Sequence, residues 1–381
     1  MYRNTFVSVD KTVLKANVHN ITEKYSEYQY FFGVVKGDAY GHGFPVINAL
    51  IEGGINYLAV ATADEAEKVR KLNSDIPLLC LEPVSENAYD FFCENNVTFT
   101  IASLSGAKNI NGYSFGKKIK VHIKLDTGMN RLGFKKEDEL SETLNLLRTN
   151  ENVEIEGIYT HLATSGVNDI YYDRQMATFE RLTKNINLKE IPIVHIGRSL
   201  ILVHHKKPDF VNGVRLGICM YGFSQSLPEP TGLRKIKRNL LLKRNGISES
   251  ILSNDLKLQT AFSFYSEVIS VKEIKKGEFV GYSADFIADE DMTVATLAVG
   301  YFDGMNKLLK NVIINGEVCE IIGEICMDMT AVRVPKTVKC GDRAEIFGDK
   351  ISIRTAAKNL GVNAYRVFTS ISHRVPRIYN D

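Results

Sequence analysis

With 381 residues, 44% of them hydrophobic and 24% charged, the chain has room for about two domains and the balance of an ordinary globular protein, not a disordered one. Its 47 basic and 45 acidic residues leave a formal net charge of +2, so no global field favours nucleic acid or an anionic membrane as a partner. The first residues lack an apolar signal segment and no stretch approaches the roughly 18 apolar residues of a bilayer span, which predicts a cytoplasmic protein.

In chain order, short apolar runs are expected as strands at 31–35, 57–61, 76–81, 97–101, 120–125, 154–159, 191–195 and 211–215. Amphipathic segments lie between them; in 62–72, Thr62 and Glu65 have capping-box spacing, and Ala66, Val69 and Leu72 share a face. Near-continuous apolar strands alternating with helices imply a parallel sheet covered by helices. Eight such units predict a (β/α)8 TIM-type barrel, with chemistry at the C-terminal ends of its strands. The competing open doubly wound sheet lacks support, since no GxGxxG or GxxxxGK follows any strand.

Residues 226–256 read as a linker with a short amphipathic helix. Its basic cluster at 234–244 suits a solvated face better than a nucleic-acid patch in so neutral a chain. Strand patterns dominate afterwards, at 262–271, 278–282, 293–299, 311–314, 317–322, 329–334 and 342–347, with Asn315-Gly316 as a strong hairpin signal and a helical tail beyond. The expected division is a barrel over residues 1–235 and a mostly β domain over 236–381.

Six cysteines are scattered without a CxxC pair, which suits reduced thiols. The eight histidines form no HExxH, and no metal is expected.

Lys36 follows the first barrel strand, where a barrel presents reactive groups. Partial desolvation there lowers an amine's pKa and makes it nucleophilic toward a carbonyl, although a lone lysine at a strand end often just snorkels to solvent. The eighth strand runs into a glycine-punctuated turn, RLGICMYG at 215–222, where barrels build phosphate sites from backbone N–H groups. A lysine, an aldehyde and a phosphate together suggest pyridoxal 5'-phosphate held as a Schiff base.

Eight motifs in order resemble the alanine racemase family of fold type III pyridoxal-phosphate enzymes. They are VKGDAYGHG (35–43), KLDTGMNRLG (124–133), YTHLAT (159–164), RLGICMYG (215–222), GYS (281–283), GYFDG (300–304), GEICMD (323–328) and HRVPR (373–377). The resemblance implies an amino-acid racemase with Lys36 as cofactor-bearing lysine and one catalytic base. Tyr282, from the other subunit of a homodimer, would be the base on the opposite face, in surroundings that favour its phenolate. Inverting a stereocentre needs a proton to leave one face of Cα and another to arrive on the other, so two flanking bases suit the reaction.

By the same resemblance Arg215 would donate to the pyridine nitrogen and His161 would pack near the ring. Tyr40, Ser199, Gly217 and Ile218 would hold the phosphate. Arg131 would steer the substrate carboxylate or Tyr282, the backbone of Met327 would bind that carboxylate, Tyr301 would line the entrance, and Lys124 matches a position that carries a carbamate in several members.

Four departures stand out: Gly37-Asp38 after the lysine, Arg198 before Ser199, Lys307 in place of an arginine, and His373 where the family has a tyrosine that contacts phosphate and packs beside the substrate side chain. A histidine there opens a larger, more polar pocket. Three functions follow: a racemase supplying D-alanine to peptidoglycan, a racemase of the same mechanism acting on serine or another polar amino acid, and a non-catalytic pyridoxal-phosphate carrier. The C-terminal domain with Tyr282 disfavours the carrier, which has no use for a second base.

Overall fold

The computed structural model describes residues 3–164, 170–197, 199, 202, 205–223, 232–244 and 256–381. Arg198, one of the departures, lies outside them. The chain divides into two compact units. One comprises Val13–Ala39 and Phe44–Thr260; the other comprises the N-terminal segment to Thr12, Tyr40–Gly43 and Ala261–Asp381.

After a first strand, β1 (Phe6–Asp10), come the eight strands of the first unit: β2 (Tyr30–Val34), β3 (Tyr57–Val60), β4 (Leu78–Cys80), β5 (Val97–Ile101), β6 (Ile119–Leu125), β7 (Val153–Thr160), β8 (Ile193–Ile196) and β9 (Gly213–Leu216). All neighbours run parallel, and β9 pairs back onto β2 to close the barrel. Each expected barrel strand is present within a residue or two of its expected limits. Complete burial of β3, β4, β5, β8 and β9 matches strands covered on both faces.

Register sets the level of the polar groups inside. Lys124 lies opposite Tyr159 and Tyr159 opposite His195, while Phe32 lies opposite Arg215. The helix Ala63–Leu72 starts at Thr62, whose hydroxyl accepts the Glu65 N–H at 3.3 Å. The expected linker helix is present at Leu233–Arg244. No helix among the described residues is long and apolar enough to cross a membrane.

The second unit is built on β10 (Phe262–Ile274), the hairpin β11 (Phe279–Val280) and β12 (Phe286–Ile287), then β13 (Met292–Leu297), β14 (Asn311–Ile314), β15 (Glu317–Ile321), β16 (Thr330–Val334), β17 (Arg343–Phe347) and β18 (Arg377–Asn380). Sheet order is β13-β16-β15-β14-β17-β10-β1-β18, and β13 also pairs with β10, so six strands form a closed ring. Asn315 and Gly316 both have positive φ, 52° and 85°, as the two-residue turn between β14 and β15 requires.

Where the sequence reading puts residues 1–235 in the barrel, the structure groups β1 with the β-rich unit. There β1 pairs antiparallel with β10 and parallel with β18, burying Val7 and Val9. Its five-residue alternation is a genuine strand signal, but its ladder partners are more than 250 residues away in sequence. The helical tail is also shorter than expected: helices Ile353–Asn359 and Ala364–Thr369 give way to β18.

Candidate functional site

Lys36 stands two residues beyond β2, half-buried. Loss of solvent pushes its amine pKa down, and the Arg131 charge adds to the effect. Gly37, Asp38, Ala39 and Tyr40 then all adopt left-handed backbone, with φ of 64°, 54°, 52° and 55°. Such a turn costs about 1–2 kcal/mol per non-glycine residue, so something must hold it. The Ala39 N–H donates to the Val35 carbonyl at 2.8 Å, the Phe44 N–H to Asp38 Oδ1 at 3.0 Å and the Gly37 N–H to Glu65 Oε1 at 2.7 Å. The carboxylate of the atypical Asp38 therefore closes the loop that Lys36 opens.

Arg215, on β9, is 3% exposed at the barrel axis. One Nη donates to His195 Nδ1 at 2.6 Å; the other donates to the Thr160 carbonyl at 2.7 Å and to His161 Nδ1 at 3.2 Å. Burial lowers its pKa to about 10, which still leaves it a cation at neutral pH. The Tyr159 ring lies 5.2 Å beneath its guanidinium and 5.3 Å from Lys124 Nζ. Lys124, 6% exposed, donates to the Leu125 carbonyl at 2.6 Å, and desolvation followed by the Arg215 charge brings its pKa down to about 7.

Arg131 sits exposed in the loop after β6. That loop folds back because Phe134 donates to the Lys124 carbonyl and Asp126 to the Phe134 carbonyl, both at 2.9 Å, while Asp126 Oδ1 takes the N–H groups of Gly128 and Asn130. Gly133 permits the fold: its φ is +117°, and a Cβ there would come within 2.7 Å of the Lys124 carbonyl oxygen. At the end of β9, Gly217 donates its N–H to buried Ser199 Oγ at 2.9 Å, with buried Ile218 next in the turn. Ser199, Gly217 and Ile218, three of the four expected phosphate-binding residues, therefore lie together, with a hydroxyl and turn amides in one place, while the fourth, Tyr40, is grouped with the β-rich unit.

In the β-rich unit, Tyr282 is 66% exposed in the turn between β11 and β12, carried by Gly281 at φ +84° and by left-handed Ser283 and Ala284. Tyr301 and Met327 are also about half exposed. Two backbone hydrogen bonds join their segments, from Tyr301 N–H to the Cys326 carbonyl and from Phe302 N–H to the Met327 carbonyl. A Cβ on Gly300 would run into both carbonyls, so the close approach requires glycine.

Arg374 ties in the third motif: it donates to Asp303 and to Asp328, each at 2.6 Å, and lies over the Phe302 ring. Exposed His373 precedes it. Tyr40 packs its ring 5.6 Å from that of Tyr365, and Arg377 donates to the Gly41 carbonyl at 3.0 Å. The structure thus gathers Lys36, Lys124, His161, Ser199, Arg215, Gly217 and Ile218 in the barrel. Tyr301, Met327 and His373 come together in the second unit.

Three polar residues of the barrel escaped sequence reading, His122, Glu156 and His195, and Glu65 was read only for its capping-box spacing. A signal existed for one, because Lys120, His122 and Lys124 alternate along β6 and so share its inner face. His195 sits singly in an apolar run, where a core histidine is the plainer reading, and Glu156 follows Glu154 at strand alternation, where outward carboxylates are the plainer reading.

The donor set suits an aldehyde-phosphate cofactor: a desolvated lysine at a strand end, a buried arginine and a hydroxyl-lined turn. Residues 9–225 match the model of the alanine racemase N-terminal domain and residues 261–379 that of the alanine racemase C-terminal domain. A protein named alanine racemase from Halalkalibacterium halodurans is 32% identical over 392 residues, covering 99% of this chain and 95% of that protein. The structure of alanine racemase from Bacillus anthracis with bound L-Ala-P superposes with a TM-score of 0.85 at 30% identity, over 100% of this chain and 96% of that one. Histidine racemase from Leuconostoc mesenteroides subsp. sake, 24% identical, has the same fold at a TM-score of 0.84 over 100% of this chain and 99% of that one.

Proposed function

The chain belongs to the alanine racemase family, and from that membership we propose that it is a pyridoxal-phosphate enzyme interconverting L- and D-alanine across a homodimer. The observation that carries this reading is the pairing, inside one barrel, of a desolvated Lys36 at a strand end with a buried, still charged Arg215.

When bound, the cofactor withdraws electrons from the substrate Cα and so acidifies its proton. Lys36 would hold the aldehyde carbon, Arg215 the ring nitrogen, and Ser199, Tyr40 and the Gly217–Ile218 turn the phosphate. Arg215 keeps its proton in this site, so the atom it donates to stays unprotonated and the pull on Cα stays moderate. Lys36, with its lowered pKa, takes or returns the Cα proton on one face. Tyr282 of the partner subunit serves the other face, which fits its exposed turn in this chain. Arg131 and the Met327 segment would bind the substrate carboxylate, and Arg374 keeps the Met327, Tyr301 and His373 segments together.

Alanine is the substrate that the curated relatives carry in their names, and it takes precedence over serine and over the carrier reading. Purified protein should take up the cofactor and show its visible absorbance, and Lys36→Ala should lose it. Tyr282→Phe should keep the absorbance while racemisation falls by about 10²–10⁴. Absence of cofactor uptake, or full activity in Tyr282→Phe, overturns the proposal.

A further inference from the structure

A line of polar side chains runs the length of the barrel interior below Arg215. Arg215 Nη1 meets His195 Nδ1 at 2.6 Å, His195 Nε2 meets His122 Nδ1 at 2.9 Å, and His122 Nε2 meets Glu156 Oε2 at 3.1 Å. Both histidines are completely buried. Glu156 also accepts the Tyr57 hydroxyl at 2.7 Å and Lys120 Nζ at 2.6 Å, with Thr98 Oγ1 alongside. The Phe32 ring stacks on His195 at 4.4 Å and the Tyr159 ring at 4.6 Å from the other side, so the imidazole cannot swing out.

Arginine offers only donors, so His195 Nδ1 must accept and its proton must sit on Nε2. That N–H in turn makes His122 Nδ1 an acceptor and puts the His122 proton on Nε2, aimed at the carboxylate. Every bond in the line therefore points from the cation to the anion, and one change of tautomer breaks two of them.

We propose that His195, His122 and Glu156 form a one-way hydrogen-bond relay whose members are positioning residues for Arg215, holding its guanidinium charged and fixed for its part in racemisation. The relay starts at the face where barrel chemistry occurs and ends at the opposite, N-terminal face, normally concerned only with stability. There a cavity of about 210 Å³, lined among others by Tyr57, Arg70, Thr98, Lys118, Lys120 and Glu156, gives solvent access to the Glu156 end.

The charge balance agrees with the geometry. Burial and the Arg215 charge hold His195 well below the ordinary histidine value, and burial lowers His122, so both stay neutral between the charged ends. His122, Lys120 and Tyr57 together hold the Glu156 carboxyl down to about 2 despite its burial. The groups facing the relay are thus Arg215 and Lys124 at one end, and Lys120, Tyr57 and Thr98 at the other.

The inference rests on the proposed racemase reading for what Arg215 does, but the relay can be tested without it. In 15N-labelled protein, with and without cofactor, His122 and His195 should both carry their proton on Nε2 and stay neutral at pH 7 and above. In the holoenzyme, Glu156→Gln keeps an acceptor but loses the charge. It should lower kcat about tenfold with KM within twofold, and make the bound cofactor's visible band pH-dependent, with Glu156→Asp restoring most of both. Lys120→Met, which spares the relay, should leave the tautomers unchanged. A proton on Nδ1 of either wild-type histidine, or a folded Glu156→Gln enzyme with unaltered kcat and band, overturns the relay. Lack of cofactor uptake would overturn the racemase reading instead, while the tautomers still decide the relay.

Discussion

The carboxylate of Glu65 accepts the backbone N–H of Gly37 at 2.7 Å with one oxygen and that of Ala61 at 2.8 Å with the other. The turn following Lys36 is thereby tied to the loop after β3. In a capping box this glutamate would reach back to the Thr62 N–H; here only the Thr62 half of the box forms, and the carboxylate serves the left-handed turn instead. Glu65→Ala should cost about 1–3 kcal/mol, because it removes the partner of two amides, and should slow cofactor uptake. Urea unfolding and the growth of the visible band on adding pyridoxal phosphate measure the two effects; an unchanged rate of uptake would separate the turn from the function of Lys36.

Lys124 makes stability depend on pH in a definite direction. Its pKa falls from the ordinary 10.5 to about 7 on folding, so between those values the unfolded chain binds a proton that the folded chain does not. The folded state is penalised most below pH 7, and the penalty fades as pH rises toward the unfolded value. Lys124→Met lacks this penalty. Its unfolding free energy should exceed that of the wild type at pH 6 and converge with it near pH 10, in urea titrations under CO2-free buffer.

The same shift leaves about half of Lys124 unprotonated at neutral pH, the form that combines with CO2. With Arg131 and Arg215 lowering its pKa, a carbamate would replace a crowded cation by an anion. Protein equilibrated with 13C-bicarbonate should show a carbamate carbon signal that Lys124→Met lacks. No signal would leave the amine itself as the functional group.

Asp303 has no exposed side-chain surface and receives Arg3 through both oxygens, Arg374, and the Gly300 N–H. These partners hold its carboxyl below the usual value, so its contribution is present above about pH 4 and lost as pH falls further. Asp303→Ala should destabilise by about 2–4 kcal/mol, less than a fully buried pair because both arginines are about a third exposed. It should also raise KM for alanine by loosening the Tyr301 and Met327 segments. Thermal unfolding and steady-state kinetics check both; a stability loss with unchanged KM would make the cluster purely structural.

The resemblance implies that His373 bears on the choice of amino acid. Alanine should be racemised with higher kcat/KM than serine, and His373→Tyr should widen that preference by no more than about 10–200-fold, the range available to small differences in pocket volume. A ratio unaffected by the substitution would remove His373 from the substrate pocket.

The eight barrel strands were legible because each is a short apolar run bounded by polar helix starts, and burial on both faces leaves that pattern little choice. Lys36, Arg215 and Tyr282 stood out because they sit in glycine-bearing motifs, and the positive φ of Gly37, Gly222 and Gly281 is the backbone geometry behind those glycines. The roles of β1 and β18 were not, since pairing between the two ends of the chain leaves no local mark. Glu65 looked like a helix cap, and its second partner lies 28 residues earlier.

What the sequence alone determined is therefore the alternation of elements, written in local spacing, while the reaction entered through the resemblance of its motifs to a family. Only the tertiary structure decided how the charges inside the barrel are connected. The Arg215–His195–His122–Glu156 line draws one residue from each of four separate strand segments, joined by closure and register of the barrel. Burial then fixes the protonation of each member, because a charge without a partner is too costly there.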